Sequence, residues 1–337
     1  MNEKRQGITI AGSLIADVFY GVDSYPDQGC LSTVRETSRS IGGTGNIILD
    51  LAKMDSELTV KVCALIGQDA EGDALKEMLS KYKNVDTELM RVHGQTSTTL
   101  VMNAADTKQR TFFFIPAASD AFHEEYIDWG KVQSKIFHLE YLLLMKRVDA
   151  PDPVYGTHGA KILYEAKKRG MITSIDIVSE VSDRAKQVVG AALRFTDICC
   201  INEVEAECVT GIPLQQDGGL SKENVTLAIE KLRQLGVGKW IVIHASSCAY
   251  GYDCENAKHV FLPSLKLPKG YIKGTTGAGD AYCSGILYGA YREFSLEKSM
   301  RLARACAVCS LSENNGSDGM RSYDEILEVE QKFAEKV

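Results

Sequence analysis

The chain has 337 residues, 45% hydrophobic and 25% charged, as expected of a globular protein with a sizeable core. A net charge of −7 argues against a nucleic-acid or anionic-membrane partner. No window approaches the ~20 apolar residues of a membrane helix, and the opening Met1-Asn2-Glu3-Lys4-Arg5-Gln6-Gly7 leads into a short apolar strand and not an export signal, so a cytoplasmic location is expected. Reduced thiols are therefore the expectation for the ten cysteines. Cys306 and Cys309 have metal-site spacing but lie in an alanine-rich helical run with no second pair, so they read as small buried residues.

In chain order, Ile8-Thr9-Ile10-Ala11 is a short strand, 47–54 is helical and 58–65 is a β-branched strand. Residues 70–82 form a surface helix with Leu75, Met78, Leu79 and Tyr82 on one side. Strands at 136–144, 172–177, 198–201 and 240–244 then alternate with helices at 155–169 and 225–235. Continuous apolar strands between amphipathic helices predict a doubly wound α/β fold, mostly parallel, with helices on both faces. Two stretches break this rhythm. The β-prone runs 97–103 and 110–115 read as an antiparallel hairpin, and 13–40 has little helical pattern. Together they would form a small β-sheet lid, giving a core of 1–12, 41–96 and 116–337 and a lid of 13–40 and 97–115.

The most informative segment is Gly274-Thr275-Thr276-Gly277-Ala278-Gly279-Asp280, which opens an apolar helical run. Small residues admit a ligand close to the backbone, and the unpaired N–H groups of a helix's first turn suit a phosphate. An aspartate there would repel a resting phosphate but can take a proton as phosphate moves past. Ile41-Gly42-Gly43-Thr44-Gly45-Asn46 likewise opens a helix with close-approach glycines and an amide that both donates and accepts. Asn202 and Glu205 follow a strand directly, where ligands of open α/β sheets bind. They would either orient a magnesium-bound phosphate through water or cap the helix that follows. His244, ending a strand, reads as structural, whereas His138 and Glu140 face either substrate or core.

In combination these segments resemble the ribokinase-like, or PfkB-type, carbohydrate kinase family over nearly the whole chain. Gly12 to Asp17, Gly42 to Asn46, Gly67-x-Asp69 with Gly72, Asn202-x-x-Glu205 and Gly277 to Asp280 occur in the family's order. The resemblance implies transfer of the γ-phosphate of ATP to a sugar hydroxyl. Asp280 would be the base and the amides of Gly277, Ala278 and Gly279 the anion hole. Asp17, Gly42, Gly43 and Asn46 would hold the sugar, and Asn202, Thr275, Gly277, Gly279 and Asn314 would contact the nucleotide. Glu205 would hold Mg²⁺ through water. Phosphoryl transfer needs mainly positioning and charge stabilisation, so the lack of a Gly-x-x-x-x-Gly-Lys-Ser/Thr loop is no objection.

Three departures stand out. Gly274 replaces the aspartate that usually precedes the two threonines, which puts a monovalent-cation site in doubt. The first glycine signature is one residue short of Gly-Gly-x-x-x-Asn. Ile243-His244-Ala245 stands where Thr-Leu-Gly is usual beside the nucleotide. Besides a sugar kinase, a nucleoside kinase on the same scaffold and a catalytically silent regulatory protein are compatible with the motifs. A dinucleotide-dependent oxidoreductase is disfavoured because no Gly-x-Gly-x-x-Gly follows the first strand. A phosphorylated substrate would need a cationic clamp, for which Arg110, Lys108, Lys146 and Arg147 are candidates, and an unphosphorylated monosaccharide is the expectation. Alternation puts Phe112 and Phe114 on one face of the hairpin and Phe113 on the other, and a two-stranded ribbon is marginal alone. The 13–40 segment is therefore expected to pair with it, and two lids to pack in a homodimer.

Overall fold

A computed structural model describes residues 5–107, 109–180, 182–216 and 219–334. Its ten-stranded sheet runs in the order Lys258–Pro263, Cys248–Asp253, Trp240–His244, Ile198–Asn202, Ile172–Ile177, Ile136–Leu142, Ile8–Gly12, Val60–Ile66 and Val85–Asp86, with Arg91–Val92 also pairing Val60–Ile66. Every pair is parallel except the two at the Lys258–Pro263 edge. Successive side chains alternate between two cores. Ile136, Cys200 and Val242 enter one with Ile10, while Phe137, Leu139, Ile201 and Ile243 enter the other. Both faces are thus buried under helices, which explains the continuous apolar runs in the central strands.

The helices Ala278–Tyr291 and Leu296–Ser310 pack closely on one face because Gly285 lies on Ala303 and Gly289 on Ser299, where any side chain would collide. Cys306 and Cys309 are buried in that contact as free thiols, as the small-residue reading expects. Among the described residues, no helix is long and apolar enough to cross a membrane.

A separate four-stranded sheet, Val34–Gly43, Leu14–Val22, Ser97–Ala104 and Arg110–Ile115 in that order, projects from the core. Leu14–Val22 joins its halves, antiparallel to Val34–Gly43 and parallel to Ser97–Ala104, so the expected pairing of the 13–40 segment with the hairpin is present. The exposed aromatics are Phe112 and Phe113, on opposite faces, while Phe114 is partly buried. This differs from the expected two-aromatic face.

Other boundaries differ for local reasons. The helix expected from 155 begins at His158, because Gly156–Thr157 first pairs with Pro151–Asp152 and the Thr157 side chain then caps the helix. Cys248–Asp253 and Lys258–Pro263 are antiparallel edge strands with exposed positions such as Phe261, so they lack the apolar run that marks the inner strands.

Candidate active site

Gly277 adopts φ 78°, a conformation that only glycine enters freely, and stands just before the helix Ala278–Tyr291. A Cβ there would collide with Gly316, so two glycines let the chain cross itself tightly. No side chain caps this helix; the Ala278 amide donates to the Thr275 carbonyl at 3.3 Å, a long bond, which leaves the helix terminus accessible to a ligand. Asp280 lies in that first turn and is 8% exposed. Asn46 Nδ2 donates to its Oδ2 at 2.7 Å, and the Tyr141 hydroxyl reaches Oδ1 and Oδ2 at 3.3 and 3.4 Å. Burial raises the Asp280 carboxyl above its ordinary value, while the bonds from Asn46 and Tyr141 hold it back.

Asp17 comes to the same place from the small sheet. Burial raises its carboxyl to about 6, a hydrogen bond with Thr99 opposes this, and the Asp280 charge adds to it. Gly42 lies against Asp17, where a side chain would strike the carboxylate. Gly43, at φ 60°, passes over the Ser13 carbonyl and leads into the helix Thr44–Met54, whose first turn carries Asn46. Asp17, Gly42, Gly43, Asn46 and Asp280 therefore converge, although they span 264 positions of sequence, as read from their residue numbers.

The site is rich in buried polar atoms without protein partners: Asn46 Oδ1, Thr44 Oγ1, and both carboxylate oxygens of Asp50 and Glu140. Each unpaired group costs about 1–3 kcal/mol, so the arrangement suits a polar ligand. Glu140, Asp176 and Asp280 bring carboxylate oxygens within 4.8 Å of one another, close enough to hold a cation. Burial raises Glu140, Asp50 and Asp176 well above ordinary carboxylate values, and the Asp280 charge adds to it at each. A hard divalent ion fits this all-oxygen donor set.

Asn202 and Glu205 stand beside this cluster and form a capping box. Asn202 Oδ1 accepts from the Glu205 amide at 2.9 Å, and Glu205 Oε2 accepts from the Asn202 amide at 2.8 Å. Ser179 Oγ and Asn202 Nδ2 both donate to Glu205 Oε1 at 2.7 Å. Burial nonetheless raises Glu205 to about 7. The capping alternative is thus realised, and any part Glu205 plays with a metal would be through water.

On the other side of the Ala278–Tyr291 terminus lies a cavity of about 480 Å³ with largely apolar walls, including Leu262, Leu265, Val308 and Leu311. Thr275, Ala278 and Gly279 form its rim. His244 stacks on Tyr282 at 4.9 Å and 23°, and burial pushes the imidazole down to about 4, so it is neutral. Asn314 is exposed and lines a different, lid-side cavity, where its carbonyl accepts from Arg110 at 3.2 Å. Arg110 also reaches Thr276 Oγ1 at 3.3 Å, tying the small sheet to the glycine loop. Lys146 and Arg147 are exposed on the short helix Lys146–Asp149 and line neither cavity; Lys108 lies outside the described residues. At Gly274 a Cβ would lie 3.0 Å from the Glu313 carbonyl, which leaves little room for the missing aspartate.

Residues 6–322 match the model of the pfkB family of carbohydrate kinases. The chain belongs to that family. It is therefore a carbohydrate kinase, a phosphotransferase of ribokinase-like fold. It is 20% identical to the ribokinase of Arabidopsis thaliana over 326 residues, covering 96% of this chain and 80% of that one. The solved structure of Arabidopsis thaliana ribokinase complexed with ribose and ATP superposes with a TM-score of 0.80 at 20% identity, covering 97% of this chain and 99% of that one. The nucleoside kinase of Methanocaldococcus jannaschii superposes at 0.75 with 15% identity, covering 98% of this chain and 100% of that one. At such identities the superpositions speak for the fold.

Within this kinase, several site residues escaped sequence reasoning. Of the pair the sequence left open, Glu140 faces the acidic cluster, whereas His138 turns to Ser174 Oγ at 3.0 Å. Asp50, Asp176 and Tyr141 carry no motif. An acid inside an apolar run, as in Ile48-Leu49-Asp50-Leu51 and Ile175-Asp176-Ile177, is the signal available for the first two.

Proposed function

We propose that this pfkB family member transfers the γ-phosphate of ATP to a hydroxyl of a small, unphosphorylated sugar, with Asp280 as general base. The observation that carries the reading is the buried Asp280 at an uncapped helix N-terminus, held at 2.7 Å by Asn46 from the opposite glycine signature. The Asp280 carboxylate would accept the proton of the attacking hydroxyl. The amides of Gly277, Ala278 and Gly279 would receive the oxygens of the transferring group. Asp17 and Asn46 would hold neighbouring sugar hydroxyls, with Gly42 and Gly43 keeping the backbone close. Mg²⁺, when bound, supplies neutralisation of phosphate charge. Asp176, Glu140 and, through water, Glu205 would hold it. Thr275 and the apolar cavity suit the nucleotide, and Asn202 would act from its cap. Asn314 would belong to the lid side.

The lid-side cavity, about 340 Å³, is bounded by Ser38, Ser40, Asn103 and Arg110 with Phe19 as an aromatic wall. Hydroxyls and charges there favour a sugar over a purine or pyrimidine. Residues 13–40 and 97–115 would act as one lid unit. Exposed Val34, Phe112, Phe113 and Ile115 on it suit a lid-to-lid homodimer. ADP release measured over a panel of ketoses, aldoses, sugar acids and nucleosides tests the reading. Turnover restricted to nucleosides, or none at all with Mg²⁺-ATP, would overturn it.

A further inference from the structure

We infer that Tyr141 is a positioning residue of the transfer site, delivered to Asp280 by a bulge in the strand Ile136–Leu142. This rests on the reading of Asp280 as the base. Ile175 pairs with Leu139 and Ile177 with Leu142, so Glu140 and Tyr141 together face the single residue Asp176. Bulges are rare between parallel strands, and they re-aim side chains next to active sites.

The consequence follows from the two-residue period. Phe137 and Leu139 enter one core, and regular alternation would send residue 141 there as well. The extra residue gives that place to Leu142, which packs in the same core as Phe137 and Leu139. Glu140 and Tyr141 are thereby released, one after the other, to the same side. Glu140 joins the acidic cluster and the Tyr141 hydroxyl spans both oxygens of Asp280.

The backbone carries a strain for this arrangement. Tyr141 has φ 63° and Leu143 has φ 79°, a region that bulky residues avoid. The surroundings hold it in place: the Leu143 amide donates to Asp149 Oδ1 at 3.1 Å, Arg184 donates to the Leu143 carbonyl, and the Val178 amide donates to the Leu142 carbonyl at 3.1 Å. Strain held by its surroundings clusters at functional sites. A tyrosine needed only for packing would require neither the left-handed backbone nor a hydroxyl aimed at the base. Asn46 grips one oxygen and Tyr141 bridges both, so the two fix the rotation of the carboxylate toward the incoming hydroxyl.

The test is Tyr141→Phe, which keeps the ring and removes the hydroxyl, assayed by ADP release with D-ribose and D-fructose. We expect kcat to fall on the order of tenfold to a hundredfold, with KM for ATP and sugar within about twofold. In an Asp280→Asn background the same change should cost nothing further, because its effect passes through that carboxylate. Wild-type kcat in the folded Phe variant, or an equal loss in both backgrounds, would overturn the role of Tyr141 while leaving Asp280 as base. Near wild-type turnover of Asp280→Asn alone would instead remove the base reading beneath it. Should the Phe variant fail to fold, Tyr141→Asn, which tolerates the left-handed backbone, takes its place. A folded Asn variant with full kcat overturns the inference, and one with depressed kcat and unchanged KM supports it.

Discussion

The two sides of the Ala278–Tyr291 helix terminus are built in opposite ways. Toward the small sheet stand Asp17, Asp50, Glu140, Asp176 and Asp280, whose carboxyls burial lifts above their ordinary values. Toward the sheet edge stand apolar walls with a neutral His244 stacked on Tyr282. One side is costly to form without a polar ligand or cation; the other suits a planar, largely apolar ring. Between them lie the amides of Gly277, Ala278 and Gly279, on the boundary a phosphoryl group would cross. On the proposed reading, charge handling and ring recognition would fall on separate sides of the helix terminus.

That contrast can be broken one side at a time. Gly42→Ala drives a methyl group into the Asp17 carboxylate, so KM for the sugar should rise on the order of tenfold or more while KM for ATP stays near wild type. A parallel rise in both constants would mean that the two sides are not independent. Glu205→Gln should raise the Mg²⁺ concentration for half-maximal activity roughly several-fold and lower kcat, as loss of an outer carboxylate does. Superimposable Mg²⁺ titrations would leave Glu205 with its cap alone.

A smaller effect concerns stability. A carboxyl whose folded pKa is raised, such as Asp17 at about 6 or Glu205 at about 7, binds more protons folded than unfolded below those values. Its contribution is therefore lost as pH rises through the range from about 4 to 7. Metal-free protein should melt at a lower temperature at pH 8 than at pH 5.5, and Mg²⁺ should raise the midpoint more at pH 8. An equal Mg²⁺ response at both pH values would contradict a cation among these carboxylates. The smallest expected change is in assembly. Replacing the exposed Phe112 and Phe113 by serine should weaken the proposed dimer in light scattering or raise ATP hydrolysis without sugar. If neither changes, the hairpin is only a surface element.

Much of this was legible before the structure. The helix-opening glycines and Asp280 announced themselves because backbone approach to a ligand demands small residues in succession. The inner strands did so through continuous apolar runs, and the hairpin through β-prone segments at 97–103 and 110–115. What escaped depends on register. Tyr141 reaches Asp280 only because one strand holds an extra residue, which no local pattern in Phe137-His138-Leu139-Glu140-Tyr141-Leu142 announces. Asn314, an expected nucleotide contact, lies in the turn after Leu296–Ser310, where it packs on Gly274 and its carbonyl accepts from Arg110. Thr157 at the helix start and the edge strands beyond His244 were hidden by short pairings that periodicity does not register.

As the proposed base, Asp280 would act on a proton and not on binding. Turnover of Asp280→Asn, measured beside calorimetric binding of ATP and of the preferred sugar, tests it most directly. The substitution keeps size and the Asn46 contact region but removes proton acceptance. The expected kcat is lower on the order of 10²–10⁴-fold, with both affinities within about threefold of wild type. Turnover near the wild-type value would contradict it.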